Sequence, residues 1–306
     1  MTTAATVPTK TPGLPLENRI TLKNILYATD FSPAAENALK YAGALAKSFG
    51  AKLYALHVQE PANYALPPEL WRGAEQAREE QMKELRNTMI RAFPGVLSET
   101  IIGEGGLWPA IALAAEKYAV DFIVLGTRGR TGFGKLMLGS QAEEILRRAE
   151  IPVLAVGPGV HPEMWPSGKF ASILFATDFG PASQTAMRYA LSFAEENQAK
   201  LTLLHVVDLR KEEKLVSRVE DIEGPEKKLR AMVPEEAKAW CTPKYLVYLG
   251  DPVEKILKTA EEMGADLIVL GVHRADGVPG AATHLPIATV HKLLAQAVTP
   301  VLTVRG

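Results

Sequence analysis

The chain repeats itself at a distance of 148 residues. Ile25-Leu26-Tyr27-Ala28-Thr29-Asp30-Phe31 returns as Ile173-Leu174-Phe175-Ala176-Thr177-Asp178-Phe179. Ala51-Lys52-Leu53 with Leu56-His57-Val58 returns as Ala199-Lys200-Leu201 with Leu204-His205-Val206. Asp121-Phe122-Ile123-Val124-Leu125-Gly126 returns as Asp266-Leu267-Ile268-Val269-Leu270-Gly271 at a shift of 145, and Pro152-Val153-Leu154 returns as Pro300-Val301-Leu302 at 148 again. The second copy is therefore three residues shorter before this strand and three longer after it. A period this long means two tandem domains, since solenoid units are far shorter. At 306 residues, the chain is long enough for each copy to bury its own core.

Within the first copy, apolar runs alternate with helical patterns. Strands are expected over 24–29, 52–58, 97–102, 122–126 and 153–156, and helices over 33–49, 68–93, 107–118 and 140–149. Ser32-Pro33 opens the first helix with a capping hydroxyl followed by proline at the first helical position. Ala38, Ala42, Leu45, Ala46 and Phe49 give it an apolar stripe. Strands rich in Val, Ile and Leu, separated by helices, imply an α/β fold class: two tandem doubly wound domains, each with a mostly parallel sheet flanked by helices. The second copy follows the same order, with a weaker second helix interrupted near Glu223-Gly224-Pro225. The expected organisation is a disordered tail over 1–20, a first domain over 21–158, a Gly/Pro-rich linker over 159–169 and a second domain over 170–306.

In open parallel sheets, ligands sit beyond the carboxyl ends of the strands, where the winding reverses. In the first copy those ends are Asp30, Val58 and Gly126. The strand ending at Gly126 empties into Gly126-Thr127-Arg128-Gly129, nine further residues, then Gly139-Ser140 at a helix start. Such a turn offers unpaired backbone N–H groups to phosphate, and glycines let the oxygens come close. Arg128, Arg130 and Lys135 add three positive charges on a loop without an acidic residue. Asp30 is suited to accept from ribose hydroxyls or to help hold a divalent cation.

The spacing G-x2-G-x9-G-[S/T] at Gly126, Gly129, Gly139 and Ser140, with the strand ending Ala28-Thr29-Asp30 and the Leu56-His57-Val58 strand, resembles the universal stress protein family in its tandem two-domain form. The resemblance covers nearly the whole chain from Asn24 to Val304. It implies Rossmann-like domains of the adenine nucleotide alpha hydrolase kind, each with a five-stranded parallel sheet, and it implies ATP as ligand, with Mg2+ as a candidate companion. Residues matching Ala28, Thr29, Asp30 and Val58 would surround adenine and ribose, while those matching Gly126, Arg128, Gly129, Gly139, Ser140 and Gln141 would hold the phosphates. It also implies that the terminal strands of the two copies pair, so that one chain is an intramolecular pseudo-dimer; a further homodimer of chains is compatible with this.

The second copy departs from the pattern. Arg274 replaces Gly129, Ile287 and Ala288 stand where Gly139 and Ser140 stood, and Pro286 precedes them. A branched side chain and a missing N–H both oppose a phosphate, and Asp276 offsets Arg274. One competent ATP site per chain is expected.

Plainer roles stand beside these. Ser140 with Glu143 forms a Ser-x-x-Glu capping box that would start a helix with no ligand. Asp30 and Asp178 could each simply counter a helix dipole. His57 and His205 recur at the same strand position, which suggests shared packing or hydrogen bonding. His273, His284 and His291 lack the cysteine or paired carboxylate of a metal site, and none is expected. Trp71, Trp108, Trp165 and Trp240 show no stacking spacing, and the charged run over 75–91 suits a solvated helix face.

A formal charge of -1 gives no general attraction to nucleic acid or membrane, and neither is an expected partner. No apolar run approaches the roughly 20 residues of a membrane span, and the opening residues lack a signal-peptide core. Cys241 stands alone, which fits a reducing cytoplasm. There is no Walker lysine motif, because Gly132-Phe133-Gly134-Lys135 lacks the spacing and the following hydroxyl. The reading is an ATP-binding regulatory or stress-response protein with no assigned catalytic residue; a slow ATPase or phosphotransferase, or an interaction scaffold with non-nucleotide pockets, are the alternatives.

Overall fold

The computed structural model describes residue 14 and residues 19–59, 68–127, 138–160, 168–208, 223–272 and 287–306. The first copy runs β1 (Asn24–Thr29), α1 (Pro33–Phe49), β2 (Lys52–Gln59), α2 (Pro68–Ala92), β3 (Ser98–Glu104), α3 (Leu107–Lys117), β4 (Phe122–Gly126), α4 (Ser140–Arg148) and β5 (Val153–Val156). The second runs β6 (Ser172–Thr177), α5 (Pro181–Asn197), β7 (Lys200–Val207), α6 (Glu223–Ala231), a 3₁₀ turn (Glu235–Ala239), β8 (Lys244–Leu249), α7 (Pro252–Glu262), β9 (Leu267–Val272), α8 (Ile287–Gln296) and β10 (Val301–Arg305).

The expected α/β elements are present, with local shifts. The third strand starts one residue late and extends to Glu104 rather than 102. Glu223-Gly224-Pro225 opens α6 instead of interrupting a helix, because a proline in the first turn lacks only an N–H that would have no intrahelical partner. Ser32 caps α1 as its sequence predicts: its Oγ accepts from Ala35 N at 3.3 Å. Gly50 ends the helix at φ 64, in the left-handed region that favours glycine.

Among the described residues, ten strands form one sheet in the order β3-β2-β1-β4-β5-β10-β9-β6-β7-β8. Neighbours run parallel within each copy, while β5 and β10 pair antiparallel, with Leu154 opposite Leu302. The terminal strands thus join the copies, and each half contributes five strands on its side of the joint. Buried Thr303 Oγ1 donates to Val153 O at 3.2 Å across it.

Two apolar layers sandwich the sheet, and each is continuous from one copy to the other. On one face α1, α2 and α5 cover Ile25, Tyr27, Phe122, Ile173 and Phe175. On the other, α3, α4, α7 and α8 cover Leu26, Ile123, Leu125, Ile268 and Leu270. Alternate strand residues point to opposite faces, which is why a strand apolar throughout suits both layers. Phe193 of α5 fixes the first layer across the joint: its ring lies edge-on to Phe49 at 5.6 Å and to Phe122 at 6.2 Å. Burying one such ring contributes about 1.5–3 kcal/mol.

Within the expected tail, the described residues sit on α5. Leu14 is buried and its N donates to Glu195 Oε1 at 3.0 Å, Arg19 pairs with the same carboxylate, and Ile20 N donates to Ser192 Oγ at 3.0 Å. In the expected linker, Val160 is buried, and Asn37 Nδ2 donates to its carbonyl at 3.2 Å.

Candidate functional site

The winding of the first copy reverses between β1 and β4, which are direct neighbours with Ala28 opposite Leu125. Their carboxyl ends therefore bring Thr29, Asp30, Gly126 and Thr127 to one edge, and β2 adds His57 opposite Thr29, with Val58 next in line. Ala28 and Val58 face the layer covered by α3 and α4, so they share a side of the sheet with the start of α4. Leu107 and Trp108, opening α3, pack into that same layer. Gly103 permits this approach, since a Cβ there would lie 2.9 Å from Ala110 Cβ.

The turn after β1 is tightly specified. Thr29 Oγ1 accepts from Phe31 N at 3.0 Å, and Asp30 Oδ1 accepts from Ser32 N at 3.0 Å. Between them Phe31 adopts φ 60, a conformation that costs a non-glycine residue roughly 1–2 kcal/mol. The Phe31 ring lies 4.8 Å from that of His57, whose Nδ1 donates to Thr29 O at 2.9 Å. The second copy reproduces the device: Phe179 has φ 62, and His205 Nδ1 donates to Thr177 O at 2.8 Å. Both histidines are thus turn-fixing groups, as their recurrence suggested. Phe31 was not legible as special, because nothing in an aromatic residue type announces a left-handed backbone.

Gly126 has a different reason to be glycine from the one its motif suggests. A Cβ there would stand 2.8 Å from Ala34 C and Ala35 N, so its absence lets the start of α1 press onto β4. Gly271 does the same for α5, with a Cβ only 2.5 Å from Ser183 N. Helix packing alone accounts for this glycine in both copies.

At α4 the capping-box expectation is corrected. The N-cap is Gly139, which makes no side-chain capping bond, and Ser140 is the first helical residue. Gly139 N donates to Thr127 O at 3.0 Å, and a Cβ on Gly139 would come within 3.1 Å of that oxygen. This ties the end of β4 to the helix start. The amides of Ser140, Gln141 and Ala142 meet no acceptor among the described residues, while Ser140 and Gln141 are exposed. Arg128, Gly129, Arg130 and Lys135 lie outside the described residues, as do Arg274, Asp276 and Pro286.

The second copy differs at matching points. Asp178 Oδ1 accepts from Gly180 N and from Ser183 Oγ, each at 2.8 Å, which gives it the helix-end role expected of it. Ile287, at the position of Gly139, is already helical in α8. No group of three or more His, Cys, Asp or Glu that could hold a metal occurs among the described residues, and His273 and His284 lie outside them.

With this geometry in hand, similarity to other proteins decides the family. The model of the "Universal stress protein family" matches residues 21–157 and again 169–305. The chain belongs to the universal stress protein family. A universal stress protein of Methanocaldococcus jannaschii is 37% identical over 138 residues, spanning 44% of this chain and 81% of that one. A universal stress protein of Mycolicibacterium smegmatis is similar over both halves, 26% identical across 92% of this chain and 96% of its own. The crystal structure of a universal stress protein from Archaeoglobus fulgidus superposes with a TM-score of 0.66 at 21% identity, covering 92% of this chain and 98% of that one, which supports the tandem fold. No described helix of this universal stress protein is long and apolar enough to cross a membrane.

Proposed function

We propose that this universal stress protein binds one ATP per chain, at the carboxyl edge of β1 and β4 in its first half, and works as a nucleotide-responsive regulator in the cytoplasm. The observation that carries this reading is the row of amides at Ser140, Gln141 and Ala142 that meet no acceptor among the described residues, opening α4 where the winding of the sheet reverses. Unpaired N–H groups at a helix start bear partial positive charge and suit phosphate oxygens. Gly139 supports the fit, because any side chain there would press on Thr127 O. Ala28 and Val58 offer apolar contact for adenine, Thr29 and Asp30 stand at the strand end for ribose, and the Arg128–Gly129 loop belongs to the same reading. A Mg2+ would arrive on the triphosphate, with Asp30 as the carboxylate at the strand end. Because β5 and β10 pair with each other, any homodimer of chains has to use another surface.

Proline at Ser140 gives a clean test. As the first helical position it tolerates proline, and Gly139 at φ -64 and ψ 139 already has the extended conformation that precedes one. Ser140→Pro should therefore delete one donor while leaving α4 intact. Isothermal titration with ATP should give about one site per chain in the native protein and roughly tenfold weaker binding in the variant. No binding, or two sites per chain, refutes the reading.

A further inference from the structure

The helix that would face phosphate is held at its other end by the second half of the chain. Arg305, closing β10, donates from Nη2 to Leu146 O at 3.0 Å and also to Arg147 O. These are last-turn carbonyls of α4, which lack intrahelical partners. The mirrored place is built differently. Gly157 stands 148 residues before Arg305, at the same position of the first copy. It faces the end of α8, where a Cβ would lie 3.1 Å from Ala297 O and 3.7 Å from Leu294 O. Leu294 is in turn the counterpart of Leu146. Each half thus presents one residue to the end of the other's last helix, and among the described residues only the helix of the first half receives a guanidinium.

We propose that Arg305 is a positioning residue for the phosphate end of the first-half site, acting from the second half through α4; this rests on the nucleotide reading above. The helix has nine residues, so its two ends are not independent: loss of the final hydrogen bonds loosens a segment only two to three turns long. A cation at a helix C-terminus also complements the dipole whose positive end faces the ligand. Arg148, in the last turn of α4 itself, pairs with Glu144 at 3.2 Å, whereas Arg305 reaches the carbonyls of that turn from the other copy. A second contact, Glu143 of α4 with His291 of α8 at 3.6 Å, lies on the same joint.

The test uses the full chain. Arg305→Met should weaken ATP about fivefold with stoichiometry unchanged, and Arg305→Lys should recover part of the loss, since it restores the charge on a shorter side chain without the planar guanidinium. Without nucleotide, amide exchange across α4 should quicken in Arg305→Met. A variant with a lowered Tm but native ATP affinity would show Arg305 to be merely structural and overturn the inference, leaving the nucleotide reading intact. If native protein takes up no ATP, the nucleotide reading fails and the inference fails with it. If Arg305→Met does not fold, Arg305→Lys decides: native affinity and native α4 exchange overturn the inference.

Discussion

Glu143 and His291 occupy the same position in the two copies, 148 residues apart, and meet across the joint with Oε1 and Nδ1 separated by 3.6 Å. A pseudo-two-fold relation brings equivalent residues together, and identical copies would place two like groups here. Divergence has instead given an acid and a base. A double-mutant cycle with Glu143→Gln and His291→Gln should yield a coupling of about 0.2–1 kcal/mol in urea unfolding. Strict additivity would mean that the contact is incidental.

Gly126 and Gly271 should behave alike although only one belongs to an intact motif. Either residue changed to Ala places a Cβ within 2.8 Å of helix backbone, and overpacking of this kind costs about 1–3 kcal/mol. Thermal unfolding of Gly126→Ala and Gly271→Ala in the absence of nucleotide checks this. A loss confined to Gly126→Ala would point away from packing.

Asp121 ties β4 to the entry of β1: its carboxylate accepts from Lys23 N at 2.8 Å and from Asn24 N at 3.3 Å. Burial nonetheless pushes this carboxyl above its ordinary value of 3.8, outweighing those bonds. The folded state then holds the proton more tightly than the unfolded chain. The contribution of the group to stability is full below 3.8 and is lost as pH rises through the raised folded value. Relative to Asp121→Asn, the native protein should lose ground between strongly acidic and neutral pH and run level above that. Urea midpoints of both proteins across this range read the difference, and the opposite slope would show that the backbone bonds prevail.

Cys241 is buried, and burial pushes its thiol up from 9.0. The thiolate is the reactive species, so labelling by a disulfide reagent near neutral pH should follow unfolding. Addition of urea past the midpoint should speed it by orders of magnitude. Rapid labelling of the native protein would place Cys241 in an open pocket.

Much of this protein was legible in its sequence. The duplication gave two halves, the run of Val, Ile and Leu gave buried parallel strands, and Ser32-Pro33 marked a helix start that the fold confirms at Ala35 N. These features are local: strand period, capping chemistry and helix stripe depend on near neighbours, so residue order suffices to set them. The pairing of β5 with β10 was expected only through family resemblance, since an apolar edge does not name its partner.

What the tertiary structure decided is everything set by distant approach. Ser140 reads as a cap from its Ser-x-x-Glu context, yet Thr127 O engages Gly139 N and makes Gly139 the cap. Gly126 reads as a phosphate glycine, but the nearness of Ala34 and Ala35 demands it first. Arg305 carries no motif at all, and its two carbonyl partners lie about 160 residues away in sequence. Short-range pattern fixes which elements form; only the folded sheet, by choosing which strand edges join, determines whose side chains reach whose helix ends.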